Sequence, residues 1–101
     1  MDTKAKILYV DDDKANLTSF KFLFQEFYEI HLTESAEQGI EAMREQEFDL
    51  ILADQRMSGM SGTEFLTCIR DESPQIFRMI VTGYSDIDKV IDAINNGYVY
   101  H

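Results

Sequence analysis

The stretch ILYVDDD, residues 7–13, joins a short apolar run to three consecutive carboxylates. A second apolar run, LILA at residues 50–53, is likewise followed by an acid, Asp54. If both runs are neighbouring parallel strands, their acidic ends meet at one edge of a sheet. Carboxylates held that close repel one another, which raises the pKa of at least one of them unless a cation lies among them. An all-oxygen site is typical of hard cations, so the sequence predicts Mg2+ there.

Beyond these runs, the chain alternates between short apolar segments and amphipathic segments with helical spacing. Strands are predicted over residues 6–10, 28–32, 48–53 and 78–81, with the start of a fifth at residues 98–100. Helices are predicted over residues 14–27 and 63–70, and two more begin at Ser35 and Ser85, each with a capping pattern. Alternating strands and helices imply right-handed crossovers, so we expect an α/β fold with a doubly wound, mostly parallel sheet.

The length and composition indicate a single acidic domain over residues 1–101, in which 45% hydrophobic residues are enough to form one core. The formal net charge of -10 excludes a bare basic surface for direct binding of nucleic acid. The single cysteine, Cys68, excludes an internal disulfide and fits a reducing compartment. Because no apolar run is long enough for a signal-peptide core or a membrane helix, we expect a cytoplasmic protein without membrane contact.

The candidate functional residues all follow predicted strands, where parallel sheets place their sites. They are Asp11, Asp12, Asp54 and Thr82. A carboxylate with a cation and a hydroxyl beside it suits the acceptance of a phosphoryl group. Each candidate residue also has a purely structural interpretation. The aspartates fit solvated turn residues, Asp13 fits the N-cap of the first helix, and Thr82 fits a β-branched strand end.

Five segments, in order and at the right intervals, resemble the receiver domain of bacterial response regulators. They are VDD at residues 10–12, DLILAD at 49–54, MSGMSG at 57–62, IVTGY at 80–84 and AINNG at 93–97. Together they extend over nearly the whole chain. The resemblance implies a flavodoxin-like (βα)5 fold and a phosphorylated switch of a two-component system.

The resemblance also implies a role for each candidate residue. Asp54 occupies the position of the family's phosphoacceptor. Asp12 and Asp54 would hold Mg2+ directly, together with the backbone carbonyl of Arg56, and Asp11 would act mainly through a water on the metal. Thr82 would turn towards the acyl phosphate once it forms.

Two features depart from the family pattern. Ser58 stands where the family usually has a proline, which makes the loop less rigid. The family's lysine at the end of the fifth strand, and the fifth helix after it, would lie beyond His101. The sequence therefore predicts a receiver that is incomplete at its C-terminus. We expect such a chain to form a homodimer or to be marginally stable, because apolar surface would remain uncovered.

Three functions are compatible with these residues. The first is a non-enzymatic receiver that takes a phosphoryl group from a sensor histidine kinase or phosphotransfer protein onto Asp54 and controls an output domain of the full-length protein. The second is a Mg2+-dependent aspartyl-phosphate phosphohydrolase. Such enzymes usually carry a second acid two residues after the nucleophile, where this chain has Arg56. The third is a receiver-like interaction module that does not switch.

Overall fold

The structure is a computed structural model that describes residues 4–81. Four strands and three helices alternate along this part of the chain. The strands are β1 (Lys6–Val10), β2 (Glu29–Thr33), β3 (Leu50–Ala53) and β4 (Phe77–Ile80). The helices are α1 (Lys14–Phe24), α2 (Ala36–Glu45) and α3 (Gly62–Glu72). The helix predicted to begin at Ser85 and the fifth strand predicted at residues 98–100 lie outside the described residues.

The four strands form one parallel sheet in the order β2-β1-β3-β4. Their last residues lie in one row across the sheet, since Val10 pairs with both Thr33 and Ala53, and Ala53 pairs with Ile80. The carboxyl ends of all four strands therefore reach the same edge. This confirms the predicted parallel sheet and brings the residues after β1 and β3 side by side.

Helices cover both faces of the sheet. Side chains alternate between the two faces along each strand, so each face has its own layer of apolar residues. Tyr9, Leu50 and Leu52 pack with the apolar side chains of α1 on one face. On the other face, Leu8, Val10, Ile51 and Ala53 pack with buried residues of α2 and α3. This two-sided burial is the physical reason why β1 and β3 read as nearly continuous apolar runs. In the described residues, no helix has the length and apolarity needed to cross a membrane.

Local side-chain caps set where the helices begin. Asp13 caps α1 by accepting a hydrogen bond from the backbone N–H of Ala15 at 2.9 Å, which confirms the N-cap interpretation. Ser35 caps α2 as predicted, by accepting from the N–H of Gln38 at 3.2 Å. The side chain of Gln38 reaches back to the N–H of Glu34 instead of that of Ser35, so the reciprocal bond is displaced by one residue.

Several element boundaries differ from the prediction by one to three residues. The largest difference is at α1, which was expected to reach residue 27 and ends at Phe24. The backbone N–H groups of Phe27 and Tyr28 both donate to the carbonyl of Phe24, forming a turn that leads into β2. Phe27 is 65% exposed. It continues the apolar spacing of α1 in the sequence, but it does not belong to the buried face.

Candidate functional site

Three aspartates meet at the shared carboxyl edge of the sheet. Asp11, Asp12 and Asp54 each offer one carboxylate oxygen, and these oxygens all lie within 4.8 Å of one another. The backbone places them there, because the N–H of Asp54 donates to the carbonyl of Val10 at 3.0 Å and extends the pairing of β3 with β1. The convergence predicted from the sequence is therefore present in the structure.

Asp11 is the buried member of the cluster, with 1% of its surface exposed. Its Oδ2 atom accepts hydrogen bonds from the Tyr9 hydroxyl at 2.6 Å and from Nδ2 of Asn16 at 3.1 Å. Its Oδ1 atom accepts from the backbone N–H of Asp13 at 2.9 Å. A buried carboxylate needs such partners to offset its lost hydration. Donors on both oxygens therefore fix the orientation of this side chain.

The contact with Asp11 also affects the pKa of the Tyr9 phenol. Burial raises the pKa of the Tyr9 phenol above its ordinary value, and the hydrogen bond to Asp11 and the negative charge of that carboxylate raise it further. The phenol therefore stays protonated and remains a donor. Its ring packs against that of Phe20 at a centroid distance of 4.7 Å, which anchors the hydroxyl from the α1 side.

Asp12 is exposed and is held by the loop that follows β3. Its Oδ2 atom accepts hydrogen bonds from the backbone N–H of Ser58 at 3.0 Å and from the Ser58 hydroxyl at 3.3 Å. This pair of bonds ties residues 54–61 to the end of β1. The loop is therefore part of the site.

Asp54 is half-buried beside the two other acids. Burial raises the pKa of its carboxyl group, and the charge of Asp11 and, more weakly, that of Asp12 act in the same direction. Interactions with the backbone N–H groups of Arg56 and Gln55 oppose the rise in pKa without cancelling it. A cation among the three carboxylates would relieve this repulsion. The all-oxygen donor set fits Mg2+, which favours carboxylates, carbonyls and water as ligands.

The start of α3 lies directly against the backbone of Asp54. A Cβ atom at Gly62 would collide with the carbonyl oxygen of Asp54, so only glycine permits this approach. The Gln55 side chain adds to the contact, since its Oε1 atom accepts from the N–H of Thr63 at 2.9 Å and from its hydroxyl at 2.8 Å. These contacts fix the chain immediately after Asp54.

Two predicted site residues remain, Arg56 and Thr82. Arg56 is an exposed residue of the loop after β3, and the use of its backbone carbonyl as a metal ligand stays a prediction. The N–H of Val81 donates to the carbonyl of Ala53 at 2.9 Å, which continues the pairing of β4 with β3 to the last described residue. Thr82 comes next in sequence and lies outside the described residues, as does the predicted fifth-strand region.

The residues that sequence reasoning missed are the partners of the acids. Tyr9 and Asp11 are two positions apart in an extended segment and so share a face, which is a signal that the sequence does contain. Asn16 and Ser58 carry no comparable pattern, because their contacts depend on how α1 and the loop turn back over the sheet edge.

Comparison with known proteins gives a consistent result. The sequence profile of the family described as "Response regulator receiver domain" matches residues 7–101. The transcriptional regulatory protein ZraR of Klebsiella oxytoca is 38% identical over 92 residues, which are 90% of this chain and 21% of that protein. The hydrogenase transcriptional regulatory protein HoxA of Cupriavidus necator is 31% identical over 99 residues, 98% of this chain and 20% of that protein.

A solved structure supports the same comparison. The response regulator receiver domain protein from Clostridium thermocellum superposes with a TM-score of 0.74 and 31% identity, covering 92% of this chain and 76% of that one. The chain spans about a fifth of the length of the curated relatives that it matches. Those relatives are named as transcriptional regulators, so the matched part is one portion of a longer regulatory protein in each of them.

Proposed function

The chain belongs to the response regulator receiver domain family, and from that premise we propose that it accepts a phosphoryl group on Asp54 from a sensor histidine kinase or a phosphotransfer protein. The fold is the flavodoxin-like, doubly wound fold of this family's solved members. The observation that carries the proposal is the approach of the Asp11, Asp12 and Asp54 carboxylate oxygens to within 4.8 Å of one another.

The three acids differ in their access to a phosphorus atom. Asp11 is buried and donors engage both of its oxygens, so it is poorly placed to attack a phosphorus atom. Asp12 is exposed, but Ser58 engages one of its oxygens with two donors. Asp54 is half-buried and directly follows β3, at the position that the resemblance assigns to the phosphoacceptor. We therefore assign the nucleophile to Asp54 from its family position and from its place beside the two other acids.

Mg2+ fits the proposed site because the donor set is composed of oxygen atoms with a high density of negative charge. Asp12 and Asp54 would hold the ion directly, together with the backbone carbonyl of Arg56, and Asp11 would act through a water. When bound, Mg2+ would supply charge neutralisation for the phosphoryl oxygens. The hydrogen bond from Tyr9 would hold the Asp11 carboxylate in a fixed orientation in this role.

The proposed chemistry is a single displacement. A carboxylate oxygen of Asp54 forms a bond to phosphorus as the phosphorus–nitrogen bond of a phosphohistidine breaks. The electron pair of that bond stays on the imidazole nitrogen, which is then protonated, and the product is an acyl phosphate on Asp54. Such transfers depend on positioning and on electrostatic stabilisation more than on proton transfer by the protein. This matches a site that has fixed acids and well-defined loop contacts.

The downstream steps that we propose are those that the resemblance to the family implies. Thr82 would donate its hydroxyl to the acyl phosphate, and the resulting rearrangement would be passed to an output domain or to a second copy of the chain. The formal net charge of -10 argues against direct contact of this domain with nucleic acid. An output domain would therefore make any DNA contact. The cytoplasmic location expected from the sequence stays a prediction.

Incubation with acetyl phosphate, with and without Mg2+, tests the proposal. We expect intact-mass spectrometry to show the addition of one phosphoryl group only when Mg2+ is present. Asp12→Asn should lower the yield, because it removes a charge from the cation site. A matched control is Asp71→Asn, which removes an exposed acid of α3 that pairs with Arg70. Equal phosphorylation of wild type and Asp12→Asn would contradict the proposed site.

A further inference from the structure

Ser58 links two segments of the site that are 46 positions apart in sequence. We propose that Ser58 is a positioning residue that directs the Asp12 carboxylate towards the cation and couples cation binding to the conformation of the loop after β3. The proposal rests on the Mg2+ site of the proposed function. It adds a role for a residue that is neither an acid nor an expected metal ligand.

The geometry of the contact separates the two oxygens of Asp12. Both donors of Ser58, the backbone N–H at 3.0 Å and the hydroxyl at 3.3 Å, bind the same oxygen, Oδ2. A carboxylate has about four acceptor positions on its two oxygens, so the two bonds from Ser58 leave Oδ1 able to bind a metal ion. Partners that hold one part of a ligand in this way orient it and increase metal affinity.

Asp12 and Asp11 are held in different ways. Asp11 is buried and held by Tyr9, Asn16 and the backbone of Asp13. Asp12 is an exposed residue beyond the end of β1, where a side chain without contacts rotates freely in water. Fixing it before the ion binds removes part of the entropic cost of binding. The two donors also offset part of the repulsion among the three carboxylates.

The two ends of the loop that carries Ser58 are joined by hydrogen bonds. Before Ser58, the carbonyl of Gln55 accepts from the N–H of Gly62 at 3.1 Å, and the Gln55 side chain accepts from Thr63. After Ser58, Gly59 has a φ angle of 80°, a backbone conformation that glycine adopts most readily. The loop is therefore shaped at its ends and touches Asp12 at its middle. A cation on Oδ1 of Asp12 would therefore act on the loop through the two bonds that Ser58 makes to Oδ2.

Variants of Ser58 separate the two donors. Ser58→Pro removes both, because proline has neither an N–H group nor a hydroxyl. Ser58→Ala removes the hydroxyl alone, and Ser58→Thr retains both donors. We expect calorimetric titration with Mg2+ to give about a 10-fold weaker Kd for Ser58→Pro. We expect a loss of about threefold for Ser58→Ala and near-wild-type affinity for Ser58→Thr. Cys68→Ala, a neutral substitution at an exposed position of α3, serves as the control.

A second measurement keeps the test valid if Ser58→Pro does not fold. In 15N-labelled wild type, the amide signals of Ser58 and Gly59 should shift with Mg2+ at the midpoint given by calorimetry. Their shifts should be reduced in Ser58→Ala, for which thermal melting without Mg2+ should match wild type. A purely structural role for Ser58 would change the melting temperature and leave the Mg2+ affinity unaltered.

The outcomes distinguish this inference from the function on which it rests. Unchanged or tighter Mg2+ binding in Ser58→Pro or Ser58→Ala, with normal binding by wild type, overturns the role of Ser58 and leaves the metal site intact. Wild-type amides of Ser58 and Gly59 that do not respond to Mg2+ overturn the coupling to the loop. Absence of Mg2+ binding by wild type overturns both the inference and the proposed site.

Discussion

The Tyr9 hydroxyl donates a hydrogen bond of 2.6 Å to Oδ2 of Asp11, joining the core beneath α1 to the acidic edge of the sheet. The two residues lie two positions apart, Tyr9 near the end of β1 and Asp11 just after it, so a single strand positions both. The bond holds a buried carboxylate next to the proposed nucleophile, Asp54. Tyr9 therefore belongs to both the hydrophobic core and the candidate site, and substitutions of Tyr9 should affect both.

Tyr9→Phe should destabilise the protein by about 1–3 kcal/mol, because it removes a donor from a buried carboxylate while leaving the ring in place. Urea unfolding without Mg2+ measures this loss. Tyr28→Phe is the matched control, since Tyr28 also packs against the aromatic cluster but is only half-buried. Its loss should be smaller. Equal stability of wild type and Tyr9→Phe would show that the bond to Asp11 does not support the fold.

Asp54 should make the folded state less stable as the pH rises in the absence of Mg2+. The pKa of its carboxyl group is raised in the folded state, chiefly by burial, so the folded protein binds its proton more tightly than the unfolded chain does. Stability from this group is therefore present at low pH and is lost as the pH rises from the ordinary aspartate value, about 4, through the raised value. At neutral pH, Asp54→Asn should be more stable than wild type.

Thermal melting of wild type and Asp54→Asn across pH 3 to 8 checks this expectation. The difference between the two proteins should be small at the acid end and should grow with pH. Other acids titrate in both proteins, so only the difference reports on Asp54. Added Mg2+ should narrow the gap by stabilising wild type. A gap that is constant with pH would contradict the assigned electrostatic environment.

Gly62→Ala should destabilise the protein by about 1–3 kcal/mol, the usual cost of placing an extra methyl group in a packed region. The new Cβ would meet the carbonyl oxygen of Asp54 and, at 2.9 Å, Cδ1 of Ile80. Relief of that collision moves α3 away from the site, so phosphorylation should fall as well. Cys68→Ala, at an exposed position of α3, is the control. Urea midpoints equal to wild type for Gly62→Ala would show that α3 tolerates the shift.

The parallel sheet and the meeting of the acids could be predicted from the sequence. Apolar runs covered on both faces are recognisable, and parallel pairing forces their carboxyl ends to one edge. Asp11, Asp12 and Asp54 follow such runs directly, so their convergence needs no knowledge of loops. The N-cap roles of Asp13 and Ser35 were also predictable, because capping is a local interaction within one turn.

The supporting contacts were harder to predict because they depend on loop conformation. The bonds from Ser58 to Asp12 join positions far apart in sequence, and no local pattern indicates that the loop after β3 turns towards β1. The end of α1 was misplaced because Phe27 continued the apolar spacing while lying at the surface. Apolar periodicity reports the face of a helix but does not determine its last residue.

The most direct test of the central claim is to locate the phosphoryl group on the phosphorylated protein. Borohydride reduces an acyl phosphate of aspartate to homoserine, so peptide mapping after reduction marks the acceptor. The account predicts homoserine at position 54 in wild type treated with acetyl phosphate and Mg2+, and no conversion in Asp54→Asn. Conversion at Asp11 or Asp12, or a stable phosphoryl group that resists reduction, would contradict the assignment of Asp54 as the phosphoacceptor.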